Sequence, residues 1–495
     1  MIDIMTKIHD KFSIEFKVGF VTRRKMRHND FSVYMWIFVP NALDINPTTY
    51  SKADFYRDVK SNIRLITPRF LLRDIVGGEA TPLRKLREAL ERMASDPTRT
   101  AIAEYEAQIK IFSAIVKSAL REDVNHICTS HQRRDDVRFL SEEYASHAGK
   151  ILSAYRSLRN IINTPTVDAQ VMECFHYGDE FMSYMFNQYT FRLLQWLSGD
   201  KEAYAALIER LSAMIRDEQN YRDKMGYLSL KQDDRLENRD LIYSHGVLKK
   251  YIESSLYLRV PKKRDGVMIE QIYMSIAAGL SMIFATILSF YFQQRFGNFT
   301  WPFFLVLVIS YMGKDRIKEL ARYYFAHRKG SKYFDNKAKI SVGDHTIGWI
   351  KEGVIGWIKE GVDFLQRSKI PQEVVQLREK HAIAPAERHI KDDKVLLYRK
   401  WVHIDREKLI ANSVYHTDGI NDIIRLNVGS FIHKMDNPYV PLNLLDDDNN
   451  LCRIDCKKVY FLNIVMQYQY DGKTDYKRFR VSLSREGIES IKEIE

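Results

Sequence analysis

The sequence is poor in cysteine, with four cysteines among 495 residues. Because so few cysteines do not make a disulfide framework, a reducing compartment is favoured. The N-terminal stretch MIDIMTKIHDKFSIEF lacks a basic segment followed by an apolar core. We therefore expect no cleaved signal peptide.

Sequence signatures of catalysis are absent as well. The chain contains no P-loop, no dinucleotide-binding glycine motif, no nucleophile elbow, no HExxH helix, no EF-hand loop and no kinase motif. We therefore expect no bound cofactor and a role other than catalysis.

One group of residues is of the types that bind metals. The stretch NHICTSH is followed about fifty residues later by ECFHY. The group consists of His126, Cys128, His131, Cys174 and His176. These side chains could hold zinc if the fold brought them together, but the spacing H-x-C-x2-H matches no established zinc module. We therefore assign no metal site, and a membrane-bound metalloenzyme is the weakest of three functional interpretations.

The chain is basic, with a formal net charge of +12. The excess is concentrated in two short segments: residues 249–265 carry six Lys or Arg against two acidic residues, and residues 313–332 carry seven against two. What lies between these segments is apolar. The charge therefore belongs to the flanks of an apolar region, and we expect no nucleic-acid partner.

Two apolar runs occupy the middle of the chain. Residues 272–292 are 21 positions without a charge, and residues 296–312 form a second run of 17. As helices these runs would be about 31 Å and about 26 Å long, near the thickness of a hydrocarbon core. The polar break QQRFGNFTWP, residues 293–302, separates them. The pattern predicts a two-helix transmembrane hairpin over residues 272–312.

The basic flanks predict how this hairpin is oriented. The turn carries one basic residue, whereas the outer flanks carry six and seven. The positive-inside rule then places both flanks and both termini in the cytoplasm, in an integral protein of the cell (inner) membrane. Two alternatives remain: both runs could be core helices of a soluble protein, or the second could be a re-entrant or interfacial segment. The residues expected to face anionic lipid headgroups are Lys262, Lys263, Arg264, Lys314, Arg316 and Lys318.

The first apolar run contains small residues at every fourth position. Ala277, Ser281, Ala285 and Ser289 would form one narrow helix face. Such a face lets another helix approach closely in lipid. The partner could be the second run of the same hairpin or the same helix of another protomer, which would make a homo-oligomer.

The remaining sequence predicts an α+β protein. Strand patterns open the chain, and the doubly apolar segment FSVYMWIFVP predicts a central strand. A helical bundle and a β-rich C-terminal domain follow. The boundaries we assign are 1–79 for the N-terminal strands and connecting segment, 80–260 for a cytosolic helical bundle, 261–271 for a basic juxtamembrane flank, 272–312 for the transmembrane hairpin, 313–330 for a basic amphipathic helix, 331–384 for a linker and 385–495 for the C-terminal domain.

Three local patterns make sharper predictions. Thr81-Pro82 predicts a capped helix start, and Asp471-Gly472 predicts a type I′ turn. The final stretch SREGIESIKEI predicts a short helix capped by Ser484.

Residues 347–362 consist of two tandem copies of IGWIKEGV. This repeat is interpreted as a duplication tolerated in a surface loop, with an interfacial helix anchored by Trp349 and Trp357 as the alternative.

These features predict a membrane-anchored protein with two cytosolic modules, acting as a scaffold or sensor at the inner face of the membrane with an unknown protein partner. An anchor in mid-chain joins the modules as well as tethering them. The alternative, motivated by the small-residue face, is an oligomeric two-span pore or membrane-disrupting effector.

Overall fold

The computed structural model describes residues 1–78, 81–129, 133–163, 167–231, 235–297, 300–328, 334–342, 353–380, 393–413, 415–445 and 450–494. They form a mixed α+β structure with an N-terminal sheet, a series of helices and a β-rich C-terminal region, which confirms this coarse part of the predicted fold class.

The strands of the described residues are numbered in chain order. They are β1 Ile2–Asp10, β2 Ser13–Val21, β3 His28–Val39, β4 Val59–Leu65, β5 Lys262–Arg264, β6 Asn336–Val342, β7 Gly353–Leu365, β8 Lys394–Asp405, β9 Gly419–Asn427, β10 Tyr439–Leu445, β11 Leu451–Lys457, β12 Tyr460–Tyr470, β13 Lys473–Ser484 and β14 Gly487–Ile494.

The helices of the described residues are numbered in the same way. They are α1 Lys52–Asp58, α2 Pro82–Ser95, α3 Arg99–Thr129, α4 Arg134–Ser157, α5 Arg159–Ile162, α6 Ala169–Leu197, α7 Lys201–Met225, α8 Arg235–Glu253, α9 Val267–Phe296, α10 Trp301–Arg328, α11 Gln372–Glu379, α12 Arg406–Ala411 and α13 Gly429–Ile432.

The chain divides into two compact units. The first consists of Met1–Ile63, Arg259–Leu409 and Asn421–Glu495, and the second of Arg64–Leu258 and Ile410–Ile420. The domain boundaries predicted from the sequence are consecutive, whereas the N-terminal and C-terminal strands share the first unit.

The first unit is built on an eight-stranded sheet in the order β14-β13-β12-β3-β8-β7-β6-β5. Strand β3 lies at its centre, antiparallel to β12 on one side and to β8 on the other. Its residues from Met35 to Val39 are all buried. This confirms the prediction that the doubly apolar segment is a covered central strand.

A four-stranded sheet in the order β1-β2-β9-β4 packs against one face of the large sheet. The ring of Phe16 meets that of Phe479 at 6.0 Å, and Phe20 meets Phe31 at 5.3 Å. Alternating apolar residues of β2 supply this core, as their period of two requires. On the opposite face, α11 covers an apolar cluster around Trp36, with Val374 fully buried.

The second unit is helical over α2–α8, as the sequence predicts. Helix α2 begins as predicted: the Thr81 hydroxyl accepts from the Arg84 amide, and Pro82 occupies the first turn. At its core, the ring of Tyr155 stacks on Phe175 at 4.5 Å and on Phe112 at 5.8 Å.

Two C-terminal predictions have different outcomes. Asp471 and Gly472 have φ values of 56° and 71° between β12 and β13, which confirms the tight turn. The predicted final helix is wrong, because residues from Gly487 to Ile494 form β14 against β13. A helix of about eleven residues is marginal in isolation, and the free edge of β13 offers hydrogen bonds that the strand takes up.

The second copy of the tandem repeat also differs from both of its interpretations. Its described residues lie in β7, which pairs with β6 and β8 inside the large sheet. It is therefore neither a surface loop nor an interfacial helix. Residues 347–352 of the first copy, which include Trp349, lie outside the described residues, whereas its last two residues, Gly353 and Val354, begin β7.

Candidate functional site

The helical hairpin α9–α10 is inserted between two neighbouring strands. Strand β5 ends at Arg264, whose register partner on β6 is Asn336. The Asp265 amide donates to the Asp335 carbonyl at 3.1 Å. The two ends of the hairpin therefore leave the sheet side by side, from the same edge.

Helix α9 carries an exposed apolar surface. Within the described residues it is the one helix long and apolar enough to cross a membrane. Ile272, Leu280, Ile287 and Phe290 are each more than half exposed. An apolar surface of this extent is typical of a helix that meets lipid or another protein.

Helix α10 is a poorer membrane span than the sequence predicts. The predicted run began at Phe296, but that residue ends α9, and α10 begins at Trp301. The apolar part of α10, residues 301–313, is about 20 Å long. A hydrocarbon core is about 30 Å thick. The structure therefore supports one membrane-crossing helix by length, and the two-span hairpin is not confirmed.

The small-residue face of α9 is turned toward α10. Ala277 and Ser281 are the buried residues of α9. The Ser310 hydroxyl of α10 donates to the Ala285 carbonyl of α9 at 3.2 Å. Ser289, the last residue of the face, is half-buried and donates to the same carbonyl at 2.8 Å.

The contact with α10 also shows which residues of the two helices lie at the same level along the hairpin. A side chain at Gly313 would meet the Phe284 ring at 3.4 Å. Lys314 therefore lies level with the middle of the apolar run of α9, and its ammonium group lies 4.3 Å from the centre of the Tyr311 ring. Arg316 pairs with Glu319 at 3.2 Å on the exposed side of α10. Lys318 follows on the same helix.

The three basic residues of β5 do not share one environment. Lys262 was predicted to face lipid headgroups, but its ammonium group contacts the Glu360 carboxylate at 2.5 Å. Lys263 is exposed on the opposite face of the strand. Arg264 lies 3.6 Å from Glu270 in the first turn of α9. The Lys262 side chain thus joins the base of the hairpin to the interior of the first unit.

A buried polar network lies beneath this base, and sequence reasoning missed it. Tyr398 donates to Glu360 at 2.8 Å, and Asn336 donates to Glu360 at 3.3 Å. Lys400 forms an ion pair with Asp422 and donates to the Ser61 hydroxyl at 2.9 Å. Ser61 in turn donates to Asp422 at 2.7 Å.

Burial by itself would raise the pKa of the Glu360 carboxyl group. The ammonium groups of Lys400 and Lys262, and the hydrogen bonds from Lys262 and Tyr398, outweigh it and hold the pKa of Glu360 below its ordinary value. Glu360 is therefore an anion at neutral pH.

A small cavity lies beside this network. Its volume is about 30 Å³, and its polar lining includes Ser61, Lys262, Asn336, Glu360 and Lys400. A polar cavity of this size accommodates a water molecule but is too small for an organic substrate. The network contacts the base of the hairpin through Lys262 and Asn336.

Those metal-like residues of the sequence that the structure describes are not assembled into a site. Cys174 accepts from Tyr251 at 3.2 Å, whereas His176 lies 3.4 Å from the hydroxyl of Tyr227. Within the described ranges no group of three His, Cys, Asp or Glu side chains could hold a metal ion. His131 lies outside those ranges. The metalloenzyme interpretation has no structural support among the residues described.

Comparison of the chain with protein-family models, with curated proteins and with solved structures found no match.

Proposed function

We propose that this chain is a membrane-anchored scaffold or sensor, whose α9–α10 hairpin inserts into the inner face of the cell membrane and holds the two compact units in the cytoplasm. The observation that carries the proposal is the exposed apolar surface of α9 on a hairpin inserted between two paired strands. Lipid covers such a surface without any further protein.

The pairing of β5 with β6 supports placing both ends of the hairpin on one side of the bilayer. Since Arg264 and Asn336 are register partners, the chain enters and leaves the membrane at the same edge of the sheet. The basic flanks then favour the cytoplasm for that side. All strands of the first unit lie on the same side as this edge.

The proposed hairpin crosses the bilayer twice, with the connection between α9 and α10 on the far side. The apolar part of α10 spans about 20 Å, and Lys or Arg side chains at its ends can extend several Å toward water. Arg295 lies near the end of α9 on the far side. Lys314 follows the apolar part of α10 and lies level with the middle of the apolar run of α9, so the bilayer must thin around α10 to bring this ammonium group to water.

The small-residue face does not favour the pore alternative. Ala277 and Ser281 are buried within a single chain, against α10. They are therefore not free to contact the same helix of another protomer. A role that requires only one copy of the hairpin fits this packing better than an assembled channel.

Replacement of the hairpin tests the proposal. Because Asp265 and Asp335 are already joined by a backbone hydrogen bond, residues 266–334 can be replaced by Asn-Gly, a two-residue turn between antiparallel strands. We expect the full chain to sediment with membranes and to resist extraction by alkaline carbonate. The shortened chain should stay in the supernatant as a folded protein. A full chain that remains soluble in a detergent-free lysate would contradict the proposal.

A further inference from the structure

Three lysines lie directly opposite one another on adjacent strands of the large sheet. Lys263 of β5 is the register partner of Lys337 of β6, and Lys337 is the partner of Lys359 of β7. Opposed residues on neighbouring strands point to the same face, and like charges placed this way destabilise a sheet. An anion bound across the row would relieve this repulsion.

Two tryptophans lie beside the lysine row. The Trp357 and Trp401 rings meet edge to face at 4.8 Å. The Lys359 ammonium group lies 5.5 Å from the centre of the Trp357 ring and 5.8 Å from that of Trp401. Lys339, the partner of Trp357 on β6, is exposed in the next row. We call this surface the lysine–tryptophan face: Lys263, Lys337, Lys339, Lys359, Trp357 and Trp401.

Acidic groups neutralise little of this face. Asp265 lies 3.7 Å from Lys359, and Asp30 at its far edge pairs with His403 at 2.9 Å. Within the part of the chain that the structure describes, Lys263 and Lys339 have no acidic partner. The face therefore carries a net positive charge next to aromatic rings.

The face adjoins the base of the hairpin. Only Asp265 and Gly266 separate β5 from α9. From Lys263 to the first apolar residue of the predicted span, Ile272, the chain extends over roughly 20 Å at most. Lysine and tryptophan are the residue types that favour the interfacial region of a bilayer, where anionic headgroups and amphipathic rings meet.

We propose that the lysine–tryptophan face binds the anionic headgroups of the bilayer in which the hairpin is inserted, so that this face of the large sheet lies against the membrane. This inference rests on the proposed function and adds a specific lipid-binding surface to it. Single-stranded nucleic acid also binds lysine and aromatic side chains. The position beside the membrane anchor favours lipid.

The test uses the full chain reconstituted in vesicles that contain a phosphatidylcholine with a spin label on its headgroup. The label quenches the fluorescence of tryptophans that lie at headgroup depth. We expect stronger quenching in vesicles that also contain phosphatidylserine than in phosphatidylcholine alone. The variant Trp357→Phe/Trp401→Phe should lose this serine-lipid-dependent increment.

Lysine variants identify the charge that is responsible. The triple variant Lys337→Gln/Lys339→Gln/Lys359→Gln should lose more than half of the increment, as should the wild type at high salt. The matched control Lys25→Gln/Lys60→Gln/Lys473→Gln removes three lysines from outside the face and should keep the increment.

The outcomes separate this inference from the proposed function. Release of the wild type by alkaline carbonate would overturn both. Stable insertion with equal quenching in the two kinds of vesicle, or an unchanged increment in the triple lysine variant, would overturn the inference alone. So would loss of the increment on addition of a single-stranded oligonucleotide, since the face would then prefer nucleic acid.

Discussion

At the scale of single residues, the buried ion pair between Lys400 and Asp422 is expected to stabilise the first unit. Their side chains are 1% and 0% exposed. Removing one partner leaves an uncompensated buried charge, which costs about 3–5 kcal/mol of unfolding free energy. For Lys400→Met we therefore expect a fall of about 10 °C in the thermal midpoint, measured in detergent.

Two further variants serve as controls for this ion pair. The exposed Lys60→Met should change stability by less than about 0.5 kcal/mol. The double variant Lys400→Met/Asp422→Leu should recover much of the loss, since it leaves no charge unpaired. If Lys400→Met behaves like Lys60→Met, the buried ion pair does not stabilise the unit.

The lowered pKa of Glu360 predicts that the stability of the protein depends on pH. The pKa of this carboxyl group is lower in the folded protein than in the unfolded chain. The carboxylate therefore contributes stability above the unfolded-state pKa of about 4.3, and this contribution is lost as the pH falls through the folded-state value. We expect Glu360→Gln to have a lower thermal midpoint than the wild type at pH 7, and the difference to close on acidification toward pH 3.

The exposed Glu209 provides the comparison for this pH series. The variant Glu209→Gln should follow the wild type across the same range. If the difference in thermal midpoint between the wild type and Glu360→Gln does not change with pH, the ion pairs of the Glu360 carboxylate with its lysines do not stabilise the folded protein.

Sequence reasoning could not place these residues in a network. Glu360 lies 98 positions from Lys262 and 38 from Tyr398 along the chain. The repeat WIKEG shows only two adjacent charged residues, Lys359 and Glu360, which a strand would point to opposite faces. Which of the two is buried depends on which strands become neighbours, and long-range pairing is not encoded in a local pattern.

At the scale of elements, the packing of α6 in the helical unit depends on Gly178. A side chain there would come within 2.5 Å of the Tyr155 hydroxyl and 2.8 Å of Ile109. Tyr155 is held in place by donating to the Phe175 carbonyl at 2.9 Å. Overpacking at such a position costs about 1–3 kcal/mol, which Gly178→Ala should show as a lower thermal midpoint.

Gly246 on α8 is the matched control for this substitution. A side chain at this position meets no atom within 4 Å. Gly246→Ala should therefore gain up to about 1 kcal/mol from helix propensity. Equal effects of the two substitutions would mean that α6 does not pack closely at Gly178.

Elements with local signals were predictable. The Thr81-Pro82 cap and the Asp471-Gly472 turn each depend on a few adjacent residues, and both are present. Helix α9 follows from hydropathy alone. By contrast, β14 was mistaken for a helix, because its strand state depends on the free edge of β13 rather than on its own residues.

At the scale of the whole molecule, the sequence predicts that β3 is covered on both faces, but it does not identify the elements that surround β3. Its neighbours in the sheet are β8 and β12, which follow it by more than 350 residues. The first unit therefore closes only after the C-terminal strands are available. Such non-local pairing is typical of slowly folding β structure.

The hairpin shows the same limit of prediction. Its existence follows from composition, since apolar length is a local property. Its attachment between β5 and β6 and the depth of Lys314 beside α9 follow from pairings that only the structure shows. Those pairings are what place both ends of the hairpin at one edge of the sheet.

Labelling of the hairpin tip in intact cells tests this arrangement most directly. Gln294 is exposed at the end of α9, and the four native cysteines are partly exposed elsewhere in the chain. A membrane-impermeant maleimide should label Gln294→Cys from outside the cell, while wild type becomes labelled only after permeabilisation. If Gln294→Cys, too, is labelled only after permeabilisation, the hairpin does not cross the bilayer and the account is contradicted.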